Sequence, residues 1–355
     1  MGNIVDNIVG RRHLHRGEAN MKIKNILIIS HYRCNFNCSY CNQRELEENQ
    51  QLELKHILPF INYVAQHNQI KNIHFQFEGG ETLIKWKTFI KPLIEYIDIK
   101  TDLIPTYSLF TNGTIYTNEL FQFLKKYNVQ VVLSLDGNKD VFELQRNNKN
   151  FDLVVENTKK YLTLPNTRIN AVFTPATISK LEESYLFFVD IGAKQVSFTP
   201  DNNINTYWSE QNLILLKKKI CNILAMDKKN KIIAIQNSLW NSCRHQAEKE
   251  SEHHSSIRIF PNKKITFSSD PFLRNENKNE NCTLDNFLTN FKNLDNKICI
   301  ENMCLRNTVE NCEKCISKYI CNIDHSKQNN YLYTSPALCA MRVAFLISEE
   351  LENYE

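Results

Sequence analysis

Cys34-Asn-Phe-Asn-Cys38-Ser-Tyr-Cys41 is the stretch that decides the fold and the chemistry of this chain. It follows the apolar run at residues 24–32, which predicts a buried strand that leads into a cysteine loop. Three thiolates can bind three irons of a four-iron cubane, whereas a complete structural cluster uses four. The fourth iron is then free to bind another molecule, as the open position of a catalytic zinc site does. The spacing therefore predicts a cluster with one open position.

Length and composition bound the possible functions. The chain has 355 residues, of which 42% are hydrophobic, so it can bury the core of a large domain and a smaller one. Its net charge of +4 is too small, and its charges are too interspersed, to predict a nucleic-acid partner. No apolar run is long enough to span a membrane, and the N-terminus lacks the apolar centre of a signal peptide. We therefore expect a cytoplasmic protein without membrane contact.

Cysteine usage indicates metal binding. The chain has twelve cysteines, and nine of them fall in two groups, at residues 34–41 and 282–321. Clustered thiols in a reducing compartment favour metal over disulfides.

Strand and helix patterns alternate along the first two thirds of the chain. Each of six strand patterns is followed by a helix pattern, and the strands are predicted at residues 24–32, 70–77, 103–110, 129–135, 167–174 and 194–199. Strict alternation predicts a parallel sheet covered by helices. Right-handed crossovers would close six units into a partial (β/α)6, TIM-like barrel.

Polar clusters follow four of these strands. They are the cysteine loop, Gly79-Gly80-Glu81, Thr111-Asn112-Gly113 and Ser134-Leu135-Asp136-Gly137. The carboxyl ends of parallel strands meet at one edge of such a barrel, where the chemistry of this fold is found. The four clusters are therefore predicted to share one site.

The alternation stops near residue 230. Residues 243–281 are polar and irregular, and a cysteine-dense region follows. We predict a polar N-terminal extension at residues 1–20, the barrel at 21–230 and a cysteine-rich C-terminal domain at 231–355.

The cysteine loop resembles the defining motif of the radical S-adenosylmethionine (radical SAM) enzymes. Tyr40 matches the aromatic residue before the last cysteine, which would stack near the adenine. Gly79-Gly80-Glu81 resembles the family's Gly-Gly-Glu motif, whose backbone and carboxylate hold the methionine ammonium. Ser134 and Asp136 match a Ser-x-Asp-Gly segment that contacts the ribose and the carboxylate. Arg146 stands where related enzymes place an arginine that can pair with the methionine carboxylate.

This resemblance covers residues 24–200 and implies cofactors and chemistry. Cys34, Cys38 and Cys41 would hold a [4Fe-4S] cluster that binds S-adenosylmethionine, supplied with electrons by a flavodoxin- or ferredoxin-type donor. By resemblance, the reduced cluster cleaves S-adenosylmethionine to methionine and a 5′-deoxyadenosyl radical, which takes a hydrogen atom from the substrate. Two alternatives stay open: a zinc site in which His31 is the fourth ligand, and a Gly79-Gly80 pair that forms an ordinary turn.

The second cysteine group resembles the auxiliary iron–sulfur extension called SPASM. By resemblance, one auxiliary [4Fe-4S] cluster is ligated by Cys312, Cys315, Cys321 and Cys339. Four thiolates would complete its coordination, so we expect electron transfer or structural support from it. The C-terminal part is thus predicted to be an auxiliary iron–sulfur domain. A zinc ribbon is the alternative, because Cys-x2-Cys pairs also serve zinc.

The C-terminal part departs from full SPASM domains, which carry a second auxiliary cluster. Lys263 and Ser268 stand where that pattern has a glycine and a cysteine, and His325 replaces a further cysteine. We therefore predict no standard second auxiliary cluster. The remaining thiols of this C-terminal part would be partly buried free cysteines or would build an unusual site; they are Cys243, Cys282, Cys299 and Cys304.

SPASM-bearing relatives mostly modify peptides and proteins. The leading hypothesis is therefore a maturase that modifies a ribosomally made precursor peptide by crosslinking, thioether formation, epimerisation or related C–H chemistry. Glu78, just before the glycine motif, could face the substrate as a base or peptide contact, or be a plain paired carboxylate. One alternative is an anaerobic sulfatase-type protein maturase. Another, of a different class, is a non-catalytic iron–sulfur binding or electron-transfer protein.

Overall fold

A computed structural model describes residues 23–41, 43, 49–201, 206–230, 234–235, 255–268 and 283–285. Nine strands within these ranges form one sheet: β1 Ile23–Ile29, β2 Asn72–Glu78, β3 Ile104–Thr111, β4 Gln130–Ser134, β5 Arg168–Phe173, β6 Gln195–Pro200, β7 Ala234–Ile235, β8 Ser255–Ile259 and β9 Ile265–Ser268. Seven α-helices accompany it in the described part: α1 Leu54–His67, α2 Lys91–Lys100, α3 Asn118–Lys126, α4 Lys139–Arg146, α5 Phe151–Tyr161, α6 Leu181–Asp190 and α7 Glu210–Asn230.

The sheet has the order β7-β6-β5-β4-β3-β2-β1-β8-β9. Strands β1 to β7 pair in parallel with their sequence neighbours, β8 is parallel to β1, and β9 is antiparallel to β8. The six predicted strands are confirmed to within three residues at each end. The predicted partial barrel is therefore confirmed, and β7, β8 and β9 extend its sheet beyond residue 230.

The two faces of the sheet differ in polarity. Alternate strand residues such as Phe75, Leu109 and Ile169 belong to the main apolar core with the helices. The residues between them, such as His74, Ser108 and Asn170, face the other side, which is the barrel lumen. The lumen side is mostly polar, unlike the apolar interior of a closed barrel.

Helix α4 was not predicted from the sequence. It begins after Asn138, whose side chain accepts a hydrogen bond from the Val141 amide at 3.3 Å. It ends at Asn147, which adopts the left-handed conformation with φ 47°. This short helix carries Arg146, so it determines where that predicted cofactor contact lies.

Lys263 lies in the β8–β9 turn, where full SPASM domains have a glycine. The backbone conformation of this turn explains the preference for glycine. Lys263 has φ 67°, a left-handed conformation that favours glycine. The Lys263 ammonium lies 3.2 Å from Asp285, but the carboxylate is 71% exposed, so this pair adds little stability.

Lys263→Gly is expected to raise the free energy of unfolding by about 1 kcal/mol, because glycine adopts this conformation without the steric cost that a side chain pays. Chemical denaturation of the two proteins measures this difference. Lys264→Gly is the matched control and should lower stability, since residue 264 has no positive φ. Equal losses in both variants would contradict the prediction.

No helix of the described part of the chain is both long and apolar enough to cross a membrane. The predicted N-terminal extension and the ligands Cys312, Cys315, Cys321 and Cys339 lie outside the described residues. Cys243, Cys282, Cys299, Cys304 and His325 also lie outside them. The three-part division and the auxiliary cluster therefore stay predictions.

Candidate active site

The cysteine loop leaves β1 at the carboxyl edge of the sheet. Cys34 is an exposed residue, Cys38 and Cys41 are partly exposed, and none of these three forms a disulfide. Within the loop, the Cys41 amide donates a hydrogen bond to the Cys38 carbonyl at 3.2 Å. The Cys34 sulfur accepts from the Phe36 amide at 3.4 Å. All three thiols are therefore available on one short loop.

Gly79 and Gly80 lie directly against the backbone that enters this loop. The Gly80 amide donates to the His31 carbonyl at 3.1 Å, and the Glu81 amide donates to the Arg33 carbonyl at 2.9 Å. A Cβ on Gly80 would lie 2.0 Å from the Arg33 oxygen, and one on Gly79 would lie 2.5 Å from the His31 oxygen. Gly79 also has φ 136°. The glycine pair is thus required for the β2 end to approach the cysteine loop.

The Glu81 carboxylate is fully buried and accepts three hydrogen bonds from the chain itself. Its donors are the Leu83 amide at 3.0 Å, the Thr111 hydroxyl at 2.8 Å and the Asn112 amide at 2.7 Å. Burial raises the pKa of Glu81, and these hydrogen bonds oppose that rise. In this arrangement Glu81 ties the end of β2 to the end of β3. Its predicted contact with a methionine ammonium stays a prediction.

Asn112 links the third strand end to the cysteine loop. Its side-chain amide donates to the Asn35 side-chain oxygen at 2.7 Å and lies 3.9 Å from the Cys34 sulfur. The Asn35 amide in turn donates to the Thr114 hydroxyl at 2.8 Å. The prediction that Thr111-Asn112-Gly113 shares the site is consistent with this contact. The sequence placed Asn112 in this cluster but assigned it no contact of its own.

A buried network joins Tyr40 to the end of β4 and to α4. The Tyr40 hydroxyl donates to one Asp136 oxygen at 2.9 Å, and Arg146 donates to the other at 2.6 Å. The Val172 amide also donates to Asp136, at 3.0 Å. The Arg146 guanidinium carbon lies 5.8 Å from the centre of the Tyr40 ring. Three of the predicted cofactor contacts are therefore brought together beside the cysteine loop.

Gln145, on α4, is a residue of the site that the sequence reasoning missed. Its carbonyl accepts from the Ser39 amide at 2.8 Å, so it holds the middle of the cysteine loop. Its side-chain amide donates to the Val172 carbonyl at 2.8 Å. A helix pattern at residues 139–146 would have been the signal, but it is too short to stand out.

The electrostatics of the loop reflect burial and neighbouring charges. Burial raises the pKa of the Cys38 thiol to about 11, although the nearby Arg146 charge lowers it. The pKa of the Cys34 thiol is also raised, because neighbouring protein atoms partly desolvate the sulfur although the residue is exposed. Burial by itself would lower the pKa of the Arg146 guanidinium, but Asp136, Tyr40 and Cys38 together raise it above its usual value. Arg146 is therefore a permanent positive charge beside thiols that metal binding would convert to thiolates.

Two further predicted residues end strands of the sheet. Ser134 ends β4 on the lumen face, paired in register with Asn170. Glu78 ends β2 on the same face, and its carboxylate accepts a hydrogen bond from the Gln76 side-chain amide. Both lie at the edge of the sheet that carries the cysteine loop, and their roles stay predictions.

His31 precedes the loop, and the structure gives the zinc alternative no support. Its ring is buried at 1% exposure, and neither ring nitrogen has a hydrogen-bond partner in the described residues. Within those residues, no three His, Cys, Asp or Glu side chains come close enough to hold a single metal ion. Burial, followed by the Lys85 and Arg33 charges, lowers the pKa of His31 to about 4.

His31→Phe is expected to reduce the loss of stability in acid. Between pH 4 and 6.5 the unfolded chain binds a proton at His31 that the folded chain does not, so His31 destabilises the fold as pH falls. Between pH 7.5 and 5.0 the wild type should lose about 2 kcal/mol more than the variant. Urea denaturation at both pH values measures this. Equal pH dependence in the two proteins would contradict it.

Comparisons with known proteins agree with this geometry. Residues 28–188 match the model of the Radical SAM superfamily. The radical SAM cyclopropyl synthase TigE of Paramaledivibacter caminithermalis is 31% identical over 142 residues, which are 36% of this chain and 30% of that protein. A cysteine-type anaerobic sulfatase-maturating enzyme of Clostridium novyi is 28% identical over 182 residues, which are 47% of this chain and 48% of that enzyme. The matches thus span about a third to a half of these relatives.

Two solved structures share the fold. Native anSMEcpe with bound AdoMet has a TM-score of 0.73 at 18% identity, and the match covers 93% of this chain and 99% of that chain. Streptococcus suis SuiB bound to precursor peptide SuiA has a TM-score of 0.60 at 15% identity, with 89% of this chain and 76% of that chain covered. At these identities the similarity shows the fold.

Proposed function

Since this chain carries a domain of the radical SAM superfamily, we propose that it is a maturase that modifies a ribosomally made precursor peptide. The modification would be a crosslink, a thioether, an epimerisation or a related change at a C–H bond. The observation that carries the proposal is the joining of the cysteine loop, Gly79-Gly80 and the Tyr40–Asp136–Arg146 network at one sheet edge. That edge opens on a polar lumen that a peptide could enter.

The residues at this edge fit the implied cofactors. Cys34, Cys38 and Cys41 would hold a [4Fe-4S] cluster, since they are free thiols on one accessible loop. Tyr40 and Arg146 would contact S-adenosylmethionine as an aromatic surface and a fixed positive charge. When bound, the cluster and S-adenosylmethionine supply a 5′-deoxyadenosyl radical that removes a hydrogen atom.

The protein's own residues would place and shield the reacting groups. Glu81 and Asn112 fix the strand ends around the loop. Asp136 holds Arg146 and Tyr40 in position through direct hydrogen bonds. Glu78, on the lumen face, would act as a base or as a peptide contact. Electrons would come from a flavodoxin- or ferredoxin-type donor.

The proteins that share this fold support a peptide or protein substrate. SuiB was solved bound to its precursor peptide SuiA. Native anSMEcpe was solved with AdoMet and the Cp18Cys peptide. Co-expression of this chain with the short reading frames beside its gene tests the proposal. A peptide whose mass changes with the wild type, and not with a variant lacking the three loop cysteines, is the expected result.

A sulfatase-type maturase is the second candidate, favoured by the similarity to the Clostridium novyi enzyme. Lys263, Ser268 and His325 count against it, because that group usually keeps both auxiliary clusters. Co-expression with a sulfatase separates the two candidates. Formylglycine in the sulfatase, with unchanged flanking peptides, would favour the second candidate over the first.

One auxiliary cluster on Cys312, Cys315, Cys321 and Cys339 is part of the proposal. Anaerobic reconstitution should then give about eight irons per chain, from two four-iron clusters. About twelve irons would contradict the loss of the second auxiliary cluster. About four irons with bound zinc would favour a zinc ribbon instead.

A further inference from the structure

The barrel lumen carries an excess of positive charge along its strands. The nine described strands contain one acidic residue, Glu78, at the cysteine-loop end of β2. Deeper in the lumen lie two basic side chains: Arg168, the first residue of β5, and Arg258, in β8. This imbalance lies on the face that the proposed substrate would enter.

Arg168 faces the lumen. In β5, Ile169, Ala171 and Phe173 belong to the apolar core with the helices, so the alternating residues Arg168, Asn170 and Val172 lie on the opposite face. Burial is the main cause of the lowered pKa of His74, and the positive charge of Arg168 lowers that pKa further. The two side chains therefore lie near each other across the lumen. The base of the lumen therefore combines a guanidinium with an imidazole.

Within the described residues, Arg168 has no acidic partner. Its Nε is buried without a hydrogen-bond partner, and burial lowers the pKa of its guanidinium. A nearby carboxylate would have raised that pKa. A buried donor without a partner costs stability, so the Nε of this partly exposed side chain favours a partner that arrives with the substrate.

The surroundings of Arg168 offer hydrogen-bond donors but no negative charge. His74 binds the hydroxyls of Thr106 at 2.9 Å and Ser108 at 2.8 Å. The Ser197 hydroxyl, on the neighbouring strand, is buried with no hydrogen-bond partner in the described chain. Both the charge and the unused donor suit an anion with several acceptor oxygens.

We infer that Arg168 binds a carboxylate of the substrate peptide at the base of the lumen, an inference that rests on the proposed function. Guanidinium and carboxylate form paired, charge-assisted hydrogen bonds, so this contact would fix how deeply the peptide enters. The carboxylate is either the C-terminus of the peptide or an Asp or Glu side chain.

The position of Arg168 also predicts which residue is modified. The Val172 amide contacts Asp136 in the network beside the cysteine loop, four residues along β5 from Arg168. Four strand residues span about 13 Å, which an extended peptide also covers with about four residues. The modified residue is therefore expected about four positions from the bound carboxylate.

Calorimetry on the reconstituted, S-adenosylmethionine-bound full chain tests the contact. The probes are acetyl-pentaalanine as the free acid, the same peptide as its amide, and the amide with aspartate at the third position. The acid or the aspartate peptide should bind the wild type about tenfold or more tightly than the neutral amide. Whichever of the two is preferred identifies the source of the carboxylate.

Arg168→Met should abolish this preference, and Arg168→Lys should keep part of it. Gln130→Met, at another lumen-facing position, is the matched control and should retain the preference. Equal or undetectable binding of all three probes to the wild type would overturn the inference. A lowered urea midpoint in Arg168→Met would also overturn it, because Arg168 would then have a partner within the chain.

Failure of this inference differs from failure of the proposed function. A wild type that forms 5′-deoxyadenosine but shows no preference among the probes overturns the carboxylate contact alone. A wild type that forms no 5′-deoxyadenosine overturns the proposed function.

Discussion

Gly80→Ala is expected to reduce 5′-deoxyadenosine formation by about 100-fold or more and to remove about four irons per chain. The new Cβ would lie 2.0 Å from the Arg33 carbonyl oxygen, which is backbone and immediately precedes Cys34. The cysteine loop must then move, and the two hydrogen bonds from the Gly80 and Glu81 amides are lost with that movement. Iron analysis and quantification of 5′-deoxyadenosine after anaerobic reconstitution measure both effects.

Gly192→Ala is the matched control for this substitution. Gly192 has φ 83°, but no atom of the described residues other than its chain neighbours lies within 4 Å of the Cβ that alanine would add. The control should lose about 1 kcal/mol of stability to backbone strain and keep its iron. Gly80→Ala with the iron content and rate of the wild type would show that the close approach is not needed.

Arg146→Met is expected to lower the free energy of unfolding by about 3–5 kcal/mol and to weaken S-adenosylmethionine binding. The side chains of Arg146 and Asp136 are 5% and 0% exposed, so the substitution leaves a buried carboxylate without its cation. Tyr40 and the Val172 amide would remain as donors to Asp136. Denaturation of the apo-protein gives the stability, and calorimetry on the holo-protein gives the affinity.

Two controls separate this pair from general effects of charge removal. Lys160→Ala breaks the exposed pair with Glu156 and should cost about 0.5 kcal/mol or less. Arg146→Met combined with Asp136→Asn should recover much of the lost stability, because the unpaired charge is removed too. If Arg146→Met alone were as stable as Lys160→Ala, the stabilising role of the buried Arg146–Asp136 pair would be contradicted.

The barrel could be predicted from the sequence because its signals are local. The strand at residues 72–78 alternates apolar and polar residues, and Gly or Pro marks several strand ends. Each signal lies within a few residues of the feature it predicts. The cysteine loop and the glycine motif were found for the same reason.

The rest depends on contacts between distant parts of the chain. β8 pairs with β1, more than 200 residues earlier, so no local pattern could place it in the sheet. Asn112, after the end of β3, reaches the cysteine loop through a hydrogen bond to Asn35. Glu81 was predicted as a cofactor contact from its motif, but its three hydrogen bonds to the chain could be seen only in the fold.

The lumen is a further case in which sequence alone was insufficient. The sequence around Arg168 does not predict a binding role for it. That role depends on which face of the strand is buried and on Glu78 being the one acidic residue in the described strands. The faces follow from the register and the core, not from the sequence around position 168.

The central claim is that Cys34, Cys38 and Cys41 hold the cluster that cleaves S-adenosylmethionine. The most direct test is 5′-deoxyadenosine formation under dithionite, comparing the reconstituted wild type with a variant in which all three cysteines are alanine. The wild type is expected to form 5′-deoxyadenosine, and the variant to form none while keeping about four irons. Equal formation by both proteins, or none from a fully iron-loaded wild type, would contradict the account.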